Sequence, residues 1–215
     1  MGTGFKTLLT DIRACEVCAA YLQHGPRPVL QAHPDAKLLI VSQAPGRRVH
    51  ASGIPFDDKS GEKLRMWLGI DEPTFHDERK VAIVPMAFCY PGKGASGDLP
   101  PRRECAPRWH PLLLPRLRNI ELTLAIGGYA IDALLGKSKR ATLTDTVRAW
   151  REYIDEVGHG CPNFDSRDQG RSQRPANIMP LPHPSPRNTA WFIHNPWFER
   201  EAIPTLRERV RKILS

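Results

Sequence analysis

The chain has 215 residues, 31 Lys and Arg against 23 Asp and Glu, and a formal net charge of +8. At 40% hydrophobic and 25% charged residues it excludes a disordered or collagen-like chain, and its length suits one folded domain over residues 1–215. No apolar run approaches the roughly 20 residues of a membrane span and the first residues lack a signal peptide's apolar core, so a soluble, cytoplasmic chain with no membrane partner is expected.

Phe5, Leu8, Leu9 and Ile12 recur at helical spacing and predict a first helix, followed by the Cys15-x2-Cys18 pair. A first strand is expected over Lys37–Gln43, a helix over Glu62–Leu68 and a second strand over Lys80–Phe88. Helices near Ala106–Leu117 and Tyr129–Leu135 then bracket a third strand at Glu121–Gly127. Leu143, Val147, Trp150 and Ile154 mark another helix, and the polar stretch 158–175 reads as a mobile surface loop. A fourth, shorter strand falls at Asn177–Leu181, and Ile203, Leu206, Val210 and Leu214 predict a terminal helix. Near-continuous apolar centres such as Leu38-Leu39-Ile40-Val41 suit strands covered on both faces. Strands alternating with helices then give a three-layer α/β/α sandwich around a four-stranded, mainly parallel sheet.

Gly and Pro clusters follow each strand: Ser42-Gln43-Ala44-Pro45-Gly46, Cys89-Tyr90-Pro91-Gly92, Gly127-Gly128 and His183-Pro184-Ser185-Pro186. Any one of these is an ordinary turn; four at the carboxyl ends of parallel strands build the crevice in which α/β proteins bind ligands. The five cysteines of a chain expected in the cytoplasm read as reduced thiols or metal ligands rather than disulfides. Cys15, Cys18, Cys89 and Cys105 have the number and type to hold zinc or an iron–sulfur cluster, free thiols being the other reading, while Cys161 has no partner.

In their order these motifs resemble the uracil-DNA glycosylase superfamily, particularly its iron–sulfur branch, over roughly Arg13 to Pro196. The branch's Gly-Glu-Ala-Pro-Gly loop reads Ser42-Gln43-Ala44-Pro45-Gly46 here, and its Gly-Arg-Pro-Phe segment reads Gly53-Ile54-Pro55-Phe56. Its His-Pro loop is matched by His183-Pro184-Ser185-Pro186-Arg187-Asn188, in a form closer to the classical uracil glycosylases. The resemblance implies a structural 4Fe-4S cluster on Cys15, Cys18, Cys89 and Cys105, ahead of zinc. It also implies removal of uracil, and of other deaminated bases, from single- or double-stranded DNA by a monomeric, monofunctional enzyme that leaves an abasic site.

The same resemblance gives roles to single residues. His183 donates to the pyrimidine oxygen as charge develops there, Phe56 stacks on the flipped base, and the backbone of Ala44, Pro45 and Gly46 lines the base or water site. Ser185, Arg187 and Asn188 contact the substrate from the His-Pro loop. Alternatives remain for two of these: a His capping a Pro-rich loop, and a Phe packed in the core after a turn. Gln43 stands where the branch has a loop carboxylate; it orients a water by hydrogen bonds but offers no base. His50 either assists that water or is a solvated loop residue. Pro85 occupies the position of the family's uracil-reading Asn and has neither an amide side chain nor a backbone N–H, which favours a broader substrate range.

Six Lys and Arg between Pro91 and Arg118, with Arg47, Arg48 and Arg187, suit a phosphate backbone, some of them being merely solvated. The absence of Lys from the four loop motifs argues against strand cleavage through a Schiff base. Gln43, Ala44 and Pro85 also fit an alternative function, a uracil-DNA-binding or damage-sensing member with little turnover; a hydrolase on another nucleoside or nucleotide is a third.

Overall fold

Residues 4–95, 97–154 and 177–215 are described by the computed structural model. In chain order the elements are α1 (Phe5–Arg13), β1 (Leu38–Val41), α2 (Arg47–Ser52), α3 (Lys59–Leu68), α4 (Glu72–His76) and β2 (Val81–Ile83). A two-residue hairpin follows, β3 (Lys93–Gly94) and β4 (Gly97–Asp98), then α5 (Cys105–Leu113), β5 (Leu122–Ile126), α6 (Gly128–Leu135) and α7 (Leu143–Arg148). The chain closes with β6 (Ile178–Leu181), α8 (Thr189–His194) and α9 (Ile203–Leu214). The stretch 158–175, expected as a loop, and Cys161 lie outside the described residues.

Every residue of β1, β2, β5 and β6 is buried, as the continuous apolar runs require of strands covered on both faces. The four form one sheet in the order β2-β1-β5-β6, and all three pairings are parallel. Helices cover it to make an α/β/α sandwich: α6 packs on β5, α7 on β6, α4 on β2, and α9 on β1 and α3. From β1 the chain crosses to β2 on one side, and from β5 to β6 on the other. The strand order therefore reverses between β1 and β5, which is where an open α/β sheet leaves a crevice beyond its carboxyl ends.

The elements are shorter than their sequence patterns. β2 ends at Ile83, yet Val84 N–H still donates to Ile40 O (2.9 Å), Met86 N–H to Ser42 O (2.7 Å) and Ala87 N–H to Gln43 O (3.1 Å). Pro85, between them, has no N–H to add to that ladder. The fully buried His110 of α5 sits below this point, its Nε2 3.0 Å from Pro85 O. Burial pushes its pKa down to about 4, so the ring is neutral at pH 7 and Nε2–H donates to the carbonyl. On the free edge of β2, Gln31 bridges Ile83 through both backbone bonds, and its Nε2 donates to Phe75 O (3.1 Å) and Val81 O (2.7 Å). That edge is thereby closed to another strand. The helix expected over Ala106–Leu117 ends at Leu113 and tightens into a 3₁₀ turn at Leu114–Arg116, and the pattern from Leu143 to Ile154 likewise splits into α7 and a 3₁₀ turn at Trp150–Glu152.

Candidate functional site

The loops after β1, β2 and β6 and the β3–β4 hairpin enclose a cavity of about 500 Å³ at the carboxyl end of the sheet. It is lined by Gln43, Ala44, Pro45 and Gly46, by Pro55 and Phe56, and by His183, Ser185, Arg187 and Asn188. Nine of the residues singled out from the sequence, spread over three distant motifs, thus meet in one place, together with Pro85. His50 does not join them. α2 starts at Arg47, and its turn carries the His50 ring to His24 (centroids 6.0 Å apart) and Tyr90 (6.1 Å) instead. His50 Nδ1 is buried with no hydrogen-bond partner among the described residues, and burial lowers the ring's pKa, helped by Arg27 and His24.

The His-Pro loop fixes one tautomer of His183. Ser185 N–H points at His183 Nδ1 (3.2 Å), so Nδ1 is the acceptor and the proton resides on Nε2. Asn188 Nδ2 donates to His183 O (2.8 Å), Asn188 N–H to Ser185 O (2.9 Å) and Arg187 N–H to Ser185 Oγ (3.3 Å). Ser185 and Asn188 therefore hold the loop that holds the imidazole. Burial lowers the pKa of His183, against the opposing pull of Asp58 and Asp98, which favours the neutral ring with Nε2–H as a donor near pH 7. Arg187 reaches across the mouth and packs its guanidinium on Gly97, where a Cβ would collide with it.

Two carboxylates missed in the sequence also line the cavity, Asp58 and Asp98. Asp58 caps α3: its Oδ1 accepts from Gly61 N–H (2.9 Å), which leaves Oδ2 toward the loop of Gly46, 3.8 Å from where a Cβ on that glycine would stand. Asp98, exposed on the hairpin, approaches the same point with its Oδ2 (3.9 Å) and accepts from Tyr90 OH (3.4 Å). An Asp preceding a helical run signals a cap, but that its second oxygen faces the β1 loop follows only from tertiary packing. Gln43 lacks the branch's charge; Asp58 brings a carboxylate to the same cavity from the neighbouring segment.

Phe56 forms one wall of the cavity, is only 9% exposed, and sits edge-on to Phe75 in the core at 6.0 Å and 85°. Phe56 is thus packed against the core on one side and faces the cavity on the other. Its backbone has φ 55, a left-handed conformation that is costly for an aromatic residue, and Gly61 keeps it there. A Cβ on Gly61 would overlap the Phe56 carbonyl oxygen, which is backbone and has nowhere to retreat. Gly61→Ala is therefore expected to destabilise the fold by about 1–3 kcal/mol and to displace the Phe56 wall of the cavity with it. Thermal unfolding reads the first effect, and an unchanged Tm would show that the turn has room to shift.

The second cluster is sulfur. Cys15, Cys18, Cys89 and Cys105, from three separate segments, line one small cavity with Leu22, Phe88 and Trp109, beside Arg102 and Glu104. Phe88 N–H donates to Cys105 Sγ (3.4 Å). Burial pushes the thiol of Cys89 up to about 11 and that of Cys105 up to about 12, with the other cysteines adding to both. No group of three or more His, Cys, Asp or Glu among the described residues is placed to hold a metal ion as it stands. In donor type and number, and in converging on one largely apolar cavity, the four thiols nevertheless suit an iron–sulfur cluster.

Cationic groups surround both cavities. Arg47, Arg48 and Arg187 line the larger one and Arg102 and Arg108 the smaller. Arg102 is engaged by Glu104 (2.5 Å) and lies over the Tyr21 ring (4.4 Å), and Arg48 meets Asp57 at 3.4 Å. Arg47, Arg187 and Arg108 form no ion pair among the described residues. No described helix is long and apolar enough to cross a membrane. Compared with known families, residues 30–207 match the family model of the uracil DNA glycosylase superfamily.

Proposed function

The chain belongs to the uracil-DNA glycosylase superfamily, and from that premise we propose that it is a monofunctional DNA glycosylase. It hydrolyses the N-glycosidic bond of uracil and other deaminated bases in DNA and leaves an abasic site. The observation that carries this reading is the fixed, neutral Nε2–H of His183 in a cavity that also holds a stacking wall, Phe56, and a carboxylate, Asp58.

The reaction breaks the bond between C1′ and the base nitrogen, and the electron pair stays with the base. Charge then accumulates on a base oxygen, where a fixed N–H donor stabilises the transition state more than the ground state. As positive charge grows on the sugar, the Asp58 carboxylate offsets it and takes the proton of the water whose oxygen bonds to C1′. Gln43 holds that water by hydrogen bonds. Stacking on Phe56 offsets part of the cost of extruding the nucleotide, at about 1–3 kcal/mol per base. Arg47 and Arg187 at the mouth take the flanking phosphates. Among the described residues no lysine lines the cavity, which suits hydrolysis without a Schiff base.

For the four cysteines we propose a structural 4Fe-4S cluster. It would tie the segment after α1 to the one after β2 and to the start of α5, while the hydrolysis is left to the larger cavity. Purified protein is expected to contain iron and inorganic sulfide with visible absorption; a colourless protein carrying zinc overturns the cluster. For the reaction, oligonucleotides with uracil, hypoxanthine or xanthine, single- and double-stranded, are incubated with the protein and then with alkali. Strand breaks at the lesion are expected. Their absence on every lesion, with retained binding, would establish the damage-sensing reading instead.

A further inference from the structure

We propose that Ser42 reads the edge of the extruded base, and that its hydroxyl opens the site to deaminated purines as well as to uracil; this rests on the glycosylase reading above. At the carboxyl end of β2, Pro85 lines the cavity but has no N–H, and its carbonyl is occupied by His110 Nε2 at 3.0 Å. The neighbouring amides of Met86 and Ala87 are spent on Ser42 O and Gln43 O. That end of the strand therefore offers a base no free N–H from residues 85 to 87. The register pairing Leu38 with Val81 and Ile40 with Ile83 continues to place Ser42 beside Pro85, one strand away. Ser42 lines the cavity, is only 5% exposed, and its hydroxyl has no hydrogen-bond partner among the described residues. The polar group missing from β2 is thus present at the end of β1.

A hydroxyl differs from an amide in what it selects. A carboxamide presents a fixed donor and a fixed acceptor side by side, which suits one ring edge at one distance. A serine hydroxyl has one rotatable donor and two lone pairs, so it accepts from a ring N–H or donates to a carbonyl. Deamination of cytosine, adenine or guanine replaces an exocyclic amine by a carbonyl, and uracil, hypoxanthine and xanthine all present a carbonyl next to a ring N–H. Ser42 meets that shared edge in either orientation, in rings of either size. Rejection of normal bases then falls on how readily a base leaves its stack and its sugar.

Single-turnover excision of uracil, hypoxanthine and xanthine, with equilibrium binding to the abasic product, tests this. Ser42→Ala is expected to slow excision of all three lesions by about fivefold to tenfold, the value of one hydrogen bond, with affinity for the abasic product unchanged. Ser42→Thr, which keeps the hydroxyl, should recover most of the rate, and Ser42→Asn should shift the uracil-to-hypoxanthine ratio toward uracil. Excision by Ser42→Ala within twofold of the unmodified protein on every lesion overturns the assignment, as does an unmodified protein that cuts uracil alone. If the unmodified protein excises no lesion at all, the glycosylase reading fails and Ser42 falls with it; the former results leave that reading intact.

Discussion

Replacing His183 by alanine is expected to slow single-turnover uracil excision by about 10²-fold, the usual consequence of removing one preorganised donor from a developing oxyanion. The imidazole is held by its own loop, through Ser185 N–H on Nδ1 and Asn188 Nδ2 on the His183 carbonyl, so Nε2–H needs no reorganisation as charge appears on the base. The loss should shrink on 5-fluorouracil, which leaves more readily and needs the donor less. A pH profile gives a second readout. The working form is neutral, and burial places the pKa of His183 below its ordinary 6.5. The rate should therefore stay level as pH falls to 6.5 and decline only below it, as a proton on Nδ1 displaces the Ser185 contact. Because the folded protein binds this proton more weakly than the unfolded chain, the same protonation lowers stability as pH falls below 6.5. His183→Ala should abolish this acid limb of the rate; an identical limb in the variant assigns it elsewhere, and an unchanged rate removes His183 from the chemistry.

How much of this site is legible in the sequence differs from residue to residue. β1, β2 and β5 announce themselves because strands buried on both faces have no polar face, and Leu38–Val41 is unbroken. The Gly-Pro clusters after them mark the rim for the same reason, since chain leaving a buried strand must turn at once. α2 is invisible: within Arg47–Ser52 only Val49 is buried, so no apolar period exists to read. That short helix also decides the fate of His50, four positions beyond Gly46 in sequence but turned to His24 and Tyr90 in the fold. Asp58 and Ser42 escape sequence reading for a different reason. Each does something local and ordinary, a helix cap and a strand end, and its place in the cavity exists only because another segment folds against it. The cysteines are intermediate: the Cys15-x2-Cys18 spacing is visible, whereas their convergence with Cys89 and Cys105 depends on how the segments after β2 and before α5 return to α1.

Asp58→Asn is expected to cost about 10²-fold or more in single-turnover rate, within the range that general base and charge-stabilising groups supply. Asparagine is as good a helix cap as aspartate, so the bond from Gly61 N–H survives and α3 should form unchanged. Only the charge facing the Gly46 loop is lost. Asp58→Ala removes the cap as well and should cost about 1 kcal/mol more in stability with no further loss of rate, which separates the two roles of one side chain. Asp98, exposed on the hairpin and engaged by Tyr90, should matter less, and Asp98→Asn serves as the control for loss of a rim charge. The two site groups are also coupled in a predictable direction. Asp58 pulls the pKa of His183 upward against burial, so removing its charge moves the acid limb of the rate profile to lower pH. An Asp58→Asn protein that keeps its rate within threefold would remove Asp58 as the base and leave the water merely oriented by Gln43, and a limb that does not move would place Asp58 too far from His183 to act with it.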